Sequence, residues 1–288
     1  MNKKEKETKE TKETKENKSH IFIYILLFIG LIIIYSRYIA TTGIQIKEYS
    51  VINNKIPESF KGFKVVHFSD LKYGSTTDQK YLKKLVNKIN ELNPDIIIFT
   101  GDLVSSNYKL TDNDKKSIIE NLNKLDPKID IYSIRGDNDI NETYNSIITQ
   151  TKIIEINNLN KLIYYKGDTP IMLIGLDDSI NGNQSLDMAF NYEENNYYKI
   201  LIAHEPDTYE KIKDKNIDLF LAGHSLNGQV RLPFIGSIYT PTGAKKYYDS
   251  KYKIDNTEIY ISNGLGTSKI PYRLNNRPSI NLYRFYNN

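Results

Sequence analysis

Short β-prone runs alternate with amphipathic segments through the middle of the chain. Five runs are predicted as buried strands, at residues 65–69, 96–100, 131–135, 199–203 and 219–222. Apolar residues at helical spacing follow the first three runs. The predicted helical faces carry Leu82, Leu85, Val86, Ile89 and Leu92 after the candidate N-cap Asp78, then Ile118, Ile119, Leu122 and Leu125, and finally Tyr144, Ile147 and Ile148. Strands that alternate with helices predict an α/β protein with parallel β-α units.

The second half of the chain is richer in strand patterns than in helical ones. Residues 152–156, 161–165 and 170–176 are predicted to form a meander, and short helical pieces are expected near 185–194 and 208–214. The closing strands are predicted at 229–232, 237–240, 258–262 and 279–286. We therefore expect two sheets packed face to face with helices outside, in one domain over residues 51–288.

The N-terminal segment has a different character. Residues 1–19 repeat a KETKETKE pattern that lacks apolar positions, which predicts a disordered tail. Residues 20–40 are apolar enough for a transmembrane anchor, with Arg37 reaching the interface. A cleaved signal peptide is the alternative, which Arg37 directly after the apolar run disfavours. The lysine-rich tail predicts a cytoplasmic N-terminus, a single span in the cell membrane and an extracytoplasmic domain, joined by a linker at 41–50.

Composition narrows the classes of function. The formal net charge is +4, of which residues 1–19 supply +2 and Arg37 supplies +1. The remaining chain is close to neutral, so no nucleic-acid partner is expected. The chain has no cysteine, which excludes disulfides, thiolate metal sites and cysteine nucleophiles.

Each of the five predicted buried strands is followed by a carboxylate or an imidazole. These residues are Asp70, Asp102, Asp137, His204 and His224. Because ligands of open α/β sheets bind beyond the carboxyl ends of the strands, we expect the five side chains to converge. Oxygen and imidazole donors together suit Mn, Fe or Zn in a hydrolytic site.

The sequence segments around these residues resemble those of a known family. They read SDLK, TGDL, RGDND, AHEP and GHSLNGQVRLP, and the closing segment reads ISNGLGTSKIPYRLNNRP. From about Val51 to its end, the chain resembles the calcineurin-like metallophosphoesterases, in particular their membrane-anchored bacterial branch. The resemblance implies a four-layer α-β-β-α sandwich with a two-metal site at the strand ends.

The resemblance also implies a role for each position. The first metal site of the family would use Asp70, Asp102 and two histidines, whose positions are held here by Lys72 and Leu226. The second would use Asp102, Asp137, His204 and His224, and all four remain competent donors. Asn138 replaces the histidine that lies beside the leaving group in the family, and the acidic residue Asp139 follows it. We expect one divalent transition metal, Mn, Fe or Zn, at the second site, an empty first site, and catalytic roles for Asp70, Asp102 and Asp139.

Two functions remain open at this point. The first is a weakened, mononuclear phosphoesterase anchored in the bilayer through residues 20–40, which hydrolyses a phosphorylated lipid or envelope substrate. The second is a catalytically inactive relative that binds a phosphorylated ligand or a protein partner. Lys72 either points into the site and replaces part of the missing positive charge or swings out to solvent.

Overall fold

The computed structural model describes residues 20–192 and 196–288. Within them the strands, in chain order, are β1 Gln45–Ile52, β2 Lys64–Phe68, β3 Ile96–Phe99, β4 Ile131–Ser133, β5 Ile153–Glu155, β6 Leu159–Ile163, β7 Ile171–Gly175, β8 Lys199–Ala203, β9 Leu219–Ala222, β10 Arg231–Leu232, β11 Gly236–Ser237, β12 Lys251–Ile254, β13 Thr257–Ile261 and β14 Ser279–Tyr286. The helices are α1 His20–Ile39, α2 Gln79–Glu91, α3 Asp112–Leu122, α4 Glu142–Ile148 and α5 Leu186–Ala189.

Two six-stranded sheets form the body of the protein. The first sheet has the order β1-β14-β2-β3-β4-β5, and the second has the order β12-β13-β9-β8-β7-β6. In the first sheet β2, β3, β4 and β5 are parallel, so their carboxyl ends lie at one edge. In the second sheet β7, β8, β9 and β13 are parallel as well. The predicted α/β architecture with two packed sheets is confirmed.

Three apolar layers hold the sandwich together. One core lies between the first sheet and helices α2, α3 and α4, and includes Leu85, Ile118 and Ile147. A second core joins the inner faces of the two sheets, where Ile98 and Ile202 are fully buried. A third core covers the outer face of the second sheet. Each sheet therefore packs against an apolar core on both of its faces, as expected for a four-layer α-β-β-α sandwich.

Local sequence signals explain where the helices begin. The Asp78 carboxylate accepts a hydrogen bond from the amide of Tyr81 at 2.8 Å, which confirms it as the N-cap of α2. Thr111 and Asp114 form a capping box at the start of α3. Asn141 caps α4 through the amide of Tyr144. These caps fix the helices directly after the loops that carry the strand-end residues.

The predicted meander is wrong in its first strand. β5 pairs with β4 in the first sheet, whereas β6 and β7 form a hairpin in the second sheet. The predicted helix at 185–194 shortens to α5, with residues 193–194 outside the described part, and the one near 208–214 is a 3₁₀ turn at Pro206–Lys211. β1 pairs with β14 from Gln45 onward, so the sheet begins inside the segment 41–50 that was predicted as a linker.

Helix α1 precedes the sandwich and is long and apolar enough to cross a membrane. Its last five residues, Tyr35–Ile39, adopt π-helical geometry. The predicted tail at 1–19 lies outside the described residues, whereas His20 begins α1. The helix end contacts the domain, because the amide of Arg273 donates to the carbonyl of Ser36 at 2.9 Å.

Candidate metal centre

The backbone turns sharply where the strands end. Asp70, Lys72, Asp102, His224 and Leu226 all have positive φ, at 51°, 44°, 63°, 61° and 52°. Non-glycine residues rarely adopt this region, and strained residues of this kind cluster at functional sites. The turns direct side chains from separate strands into one small space.

Close backbone packing brings two of these loops into contact. A Cβ added at Gly101 would lie 2.3 Å from the backbone nitrogen of Gly136, and the φ of Gly101 is +89°. Only glycine satisfies both conditions. As a result the backbone amide of Asn138 donates to Asp102 Oδ1 at 2.9 Å. The loop after β3 therefore lies directly against the loop after β4.

The two histidines present free nitrogen lone pairs to the same point. His204 Nδ1 lies 2.6 Å from the carbonyl oxygen of Thr100, and His224 Nε2 lies 2.7 Å from that of Thr242. Because a carbonyl only accepts hydrogen bonds, these ring nitrogens carry the protons. In the neutral rings the inward nitrogens, His204 Nε2 and His224 Nδ1, then hold lone pairs. A backbone carbonyl behind the ring is the usual way in which proteins orient metal-binding histidines.

Asp137 lies between these lone pairs. Its Oδ1 is 3.3 Å from His204 Nε2 and 3.3 Å from His224 Nδ1. The ligand atoms of the three residues all lie within 4.8 Å of one another. Within the described residues, both inward nitrogens are buried without a hydrogen-bond partner. With neutral rings, a carboxylate that faces two lone pairs is repulsive unless a proton or a metal ion lies among them. Two imidazole nitrogens and a carboxylate oxygen are the donors that divalent transition metals bind, so these residues fit such an ion.

Asp102 lies at the edge of this cluster and belongs to a second one. Its Oδ2 is 3.5 Å from His204 Nε2, and Asp70, Asp102 and His204 also have ligand atoms within 4.8 Å of one another. The structure thus brings Asp70, Asp102, Asp137, His204 and His224 together at one edge, as the sequence pattern predicts.

Lys72 points into the cluster. Its Nζ donates to Asp102 Oδ2 and lies 3.5 Å from Asp70 Oδ1. The Lys72 side chain is 7 % exposed, and both carboxylates are fully buried. Of the two orientations left open by the sequence, the structure has the inward one. The ammonium therefore supplies positive charge between Asp70 and Asp102, the two carboxylates implied for the first metal.

Burial and charge together set the protonation states. Burial lowers the pKa of Lys72, but the carboxylates of Asp102 and Asp70 outweigh it and raise that pKa above its ordinary value. Burial raises the pKa of Asp102, whereas Lys72 and His204 lower it well below the usual range. Burial lowers the pKa of His204, and the Asp102 and Asp137 carboxylates raise it by more. The buried carboxylates therefore favour positive charge at this centre, whether it is the Lys72 ammonium, a proton on His204 or a metal ion.

Asp139 has a different environment from the other carboxylates. It accepts hydrogen bonds from the amides of Asp102 at 2.6 Å, Leu103 at 3.0 Å and Gly136 at 3.0 Å. Burial, followed by the negative charge of Asp102, raises the pKa of Asp139 to about 7. Through these contacts Asp139 joins two site loops, and its predicted catalytic role stays a prediction.

The remaining substituted positions supply no metal ligand. Leu226 is buried, and its side chain would lie 2.1 Å from a Cβ added at Gly264, so it fills space against the closing segment. The side-chain amide of Asn138 donates through Nδ2 to Asp102 Oδ2 at 2.7 Å. An amide has no proton to give to a leaving group at neutral pH. His67 lies within β2, contacts Thr100 Oγ1 at 2.8 Å, and belongs to neither ligand cluster.

Several groups that complete the site belong to no sequence motif that would predict them. The carbonyls of Thr100 and Thr242 orient the histidines, yet any residue type could provide them. The Ser69 hydroxyl donates to Asp70 Oδ2 at 2.7 Å, and the amide of His224 donates to the same oxygen at 2.9 Å. Ser69 directly precedes Asp70 in the sequence, which is the one local signal among these groups.

A cavity of about 480 Å³ opens at this centre. Lys72, Asn138 and His224 line it on the polar side, and Ile238 and Ile270 contribute apolar wall. Its volume is typical of sites for small-molecule ligands. The polar groups that converge in it suit a phosphorylated group, and the apolar wall suits an attached hydrocarbon or aryl group.

Comparisons with known proteins agree with this geometry. The family model described as calcineurin-like phosphoesterase matches residues 63–228. The uncharacterized metallophosphoesterase YkuE of Bacillus subtilis is 31% identical over 253 residues, which cover 86% of this chain and 88% of the relative. The phosphodiesterase YaeI of Escherichia coli is 25% identical, with 76% and 81% covered.

A further relative carries a membrane-related name. The transmembrane protein with metallophosphoesterase domain of Danio rerio is 26% identical over 243 residues, which cover 78% of this chain but 54% of that relative. The chain thus spans about half the length of the zebrafish protein. Taken together, the family match, the similarity to the Bacillus relative and the two-sheet fold show that this chain belongs to the calcineurin-like phosphoesterase family.

Proposed function

We propose that the protein is a membrane-anchored phosphoesterase that works with one transition-metal ion and at reduced efficiency. Asp102, Asp137, His204 and His224 would hold the ion, which is Mn, Fe or Zn. The observation that carries the proposal is the convergence of two buried histidine nitrogens on Asp137, with the ligand atoms of the three residues within 4.8 Å of one another. Lys72 would take the place of the first metal, between Asp70 and Asp102.

The chemistry follows from these groups. A divalent ion held by Asp102, Asp137, His204 and His224 would supply Lewis acidity toward water and toward a phosphoryl group. Lys72 provides a fixed cation that would attract the remaining phosphoryl oxygens. Asp70 and Asp102 hold Lys72 in place, and Asp139 holds the Asp102 loop against the loop that begins at Gly136. Asn138 would hydrogen-bond a substrate oxygen but would not protonate a leaving alkoxide, so esters with acidic alcohols should react fastest.

The substrate proposal combines the site with the N-terminal helix. α1 would anchor the domain at the cell membrane, with the lysine-rich N-terminus in the cytoplasm and the domain outside. A phosphorylated lipid or envelope compound would then be close to the site. The bilayer would itself be a partner of the chain, in contact with residues 20–40.

A second function is a catalytically inactive member of the family. Here the same centre binds a phosphorylated ligand or a protein partner without turnover. The hydrogen bond from the Asn138 amide to Asp102, at a position where the family pattern has a histidine, favours this alternative.

Metal analysis of the full chain in detergent tests the proposal. We expect about one tightly bound transition-metal ion per chain and slow hydrolysis of bis(p-nitrophenyl) phosphate. The His204→Asn variant should lose both, whereas His67→Gln, which changes a buried histidine outside the cluster, should retain the metal. Two bound ions with rapid turnover contradict the mononuclear site, and one ion without turnover supports the binding function.

A further inference from the structure

A short hairpin beside the cavity exposes large apolar side chains. Strands β10 and β11 are paired with Arg231 opposite Ser237 and Leu232 opposite Gly236. At its tip Phe234 is fully exposed, and Ile235 is 72% exposed. The surfaces of soluble proteins seldom present adjacent large apolar residues at the tip of a turn, and such residues commonly mark an interaction site.

The hairpin lies next to the end of α1. Residues 273–275 contact both elements: the amide of Arg273 donates to the Ser36 carbonyl at 2.9 Å, and the carbonyl of Leu274 accepts from the amide of Arg231 at 2.9 Å. The side-chain amide of Asn275 also donates to the Arg231 carbonyl at 2.9 Å. One short segment thus holds the helix end and β10 together. If α1 spans the bilayer, the hairpin lies close to the surface at which the helix emerges.

The apolar surface continues from the hairpin into the cavity. Ile238 follows β11, is 55% exposed, and lines the cavity that also contains Lys72 and His224. Tyr239, the next residue, lines the same cavity. A molecule with an apolar part at the hairpin and a polar head at the metal centre would therefore follow one continuous wall.

Basic and aromatic groups border this apolar surface. The Nζ of Lys269 lies 4.1 Å from the centre of the Tyr239 ring, and that of Lys245 lies 5.6 Å from it. Tyrosine is enriched where proteins meet the lipid headgroups. Each basic residue near an anionic lipid surface adds electrostatic attraction to that surface. The combination of an apolar tip and bordering lysines fits an anionic bilayer.

We propose that residues 231–237 insert their apolar tip into the lipid surface beside α1, so that the cavity opens toward the bilayer. This inference rests on the membrane anchoring proposed above, but not on catalysis. It narrows the substrate class to phosphoesters that carry a hydrocarbon tail and remain in the membrane. The tip would act as a second contact with the membrane, and it would orient the domain about the end of α1.

The absence of cysteine from the chain allows a direct test in the full-length protein. Phe234→Cys and Ile52→Cys each carry a single environment-sensitive fluorophore, and the protein is reconstituted in vesicles of phosphatidylglycerol and brominated phosphatidylcholine. Ile52 is 59% exposed and ends β1, seven residues beyond Gln45. That length of strand places it roughly 23 Å from the strand's start near α1. It is therefore the matched control.

We expect the label at position 234 to shift to shorter wavelengths and to be quenched by brominated lipid, while the label at 52 remains unchanged. Adding Ile235→Asp to Phe234→Cys should remove most of the quenching, because a carboxylate at the tip opposes insertion. Equal quenching at the two positions overturns the proposal. A blue shift at 234 without quenching also overturns it, since the tip would then be covered by protein, such as a second copy of the chain. Neither readout depends on turnover, so a catalytically inactive protein is still tested.

Discussion

The ammonium group of Lys72 is hydrogen-bonded to the carboxylate of Asp102 inside the candidate metal centre. Both side chains are buried, and Asp70 Oδ1 lies 3.5 Å from the same nitrogen. A lysine in this position cannot coordinate a metal, because its nitrogen is protonated and carries no lone pair. It nevertheless neutralises part of the charge of two carboxylates that would otherwise repel each other. The contact links a change in the family motif to a specific electrostatic outcome.

Restoring the family residues should restore a second metal. The variant Lys72→His, Asn138→His and Leu226→His replaces the ammonium, the amide and the leucine by imidazoles that can bind a metal or donate a proton. We expect metal content to rise from about one ion to about two. Hydrolysis of bis(p-nitrophenyl) phosphate should rise by about 10²- to 10⁴-fold, which is the usual contribution of a general acid. Elemental analysis and steady-state kinetics measure both.

The single variant Leu226→His is the control for this prediction. It adds a ligand but keeps Lys72 between Asp70 and Asp102, so metal content should remain near one ion. If the folded triple variant still binds one ion and shows unchanged turnover, the pocket itself has diverged. The binding function would then be the better account.

Removing the Lys72 charge alone should destabilise the fold. Lys72→Met keeps much of the side-chain volume but leaves Asp70 and Asp102 buried without their counter-charge. Breaking a buried ion pair in this way typically costs about 3–5 kcal/mol. Thermal unfolding of the detergent-solubilised chain, followed by circular dichroism in the presence of a chelator, measures the change.

The same substitution at Lys116 provides the comparison. Lys116 lies on α3, its side chain is 76% exposed, and it is 3.9 Å from Glu120. Exposed pairs of this type contribute about 0–1 kcal/mol, so Lys116→Met should unfold nearly as the parent does. Equal melting temperatures for the two variants would show that Lys72 is not needed to balance the buried carboxylates.

The sequence was sufficient for the strand-end residues but not for their surroundings. Asp70, Asp102 and His224 each follow a short apolar strand. Parallel strands bring their carboxyl ends to one edge of a sheet, so the approximate positions of these residues do not depend on loop conformation. The neighbour predicted for the strand at 152–156 is wrong, because a short β-prone run indicates a strand without specifying the strand it pairs with. The orientation of Lys72 was left open, since it depends on Asp102, which lies 30 residues away. The protonated nitrogens of both histidines depend on carbonyls that have no sequence signature.

Close contact between two loops makes Gly101 a sensitive position. Gly101→Ala would place a Cβ 2.3 Å from the backbone nitrogen of Gly136 and would force the two loops apart. Gly62 is the matched control, since its φ is +77° but a Cβ there meets nothing within 4 Å. Gly62→Ala should cost about 1 kcal/mol through backbone strain alone. We expect a larger loss of stability and loss of bound metal only for Gly101→Ala. Equal losses in unfolding and in metal content would remove the close approach as the cause.

His67 should make the folded protein less stable in mild acid. Burial within β2 lowers the pKa of His67 from its ordinary value of 6.5 to about 3, so the folded state keeps the ring neutral. The unfolded chain takes up a proton as the pH falls below about 6.5, and the folded state does not do so until about pH 3. Protonation therefore favours the unfolded chain throughout this window, and the free energy of unfolding decreases as the pH is lowered. Two pH units below 6.5, the loss attributable to this ring is about 3 kcal/mol. His67→Gln retains an amide that can hydrogen-bond Thr100 Oγ1 but does not titrate, so its unfolding midpoint should fall less between pH 7 and pH 4.5 than that of the parent. Parallel pH profiles for the parent and His67→Gln would mean that the acid sensitivity arises from other buried groups, and that the burial of this ring carries no proton-linked cost.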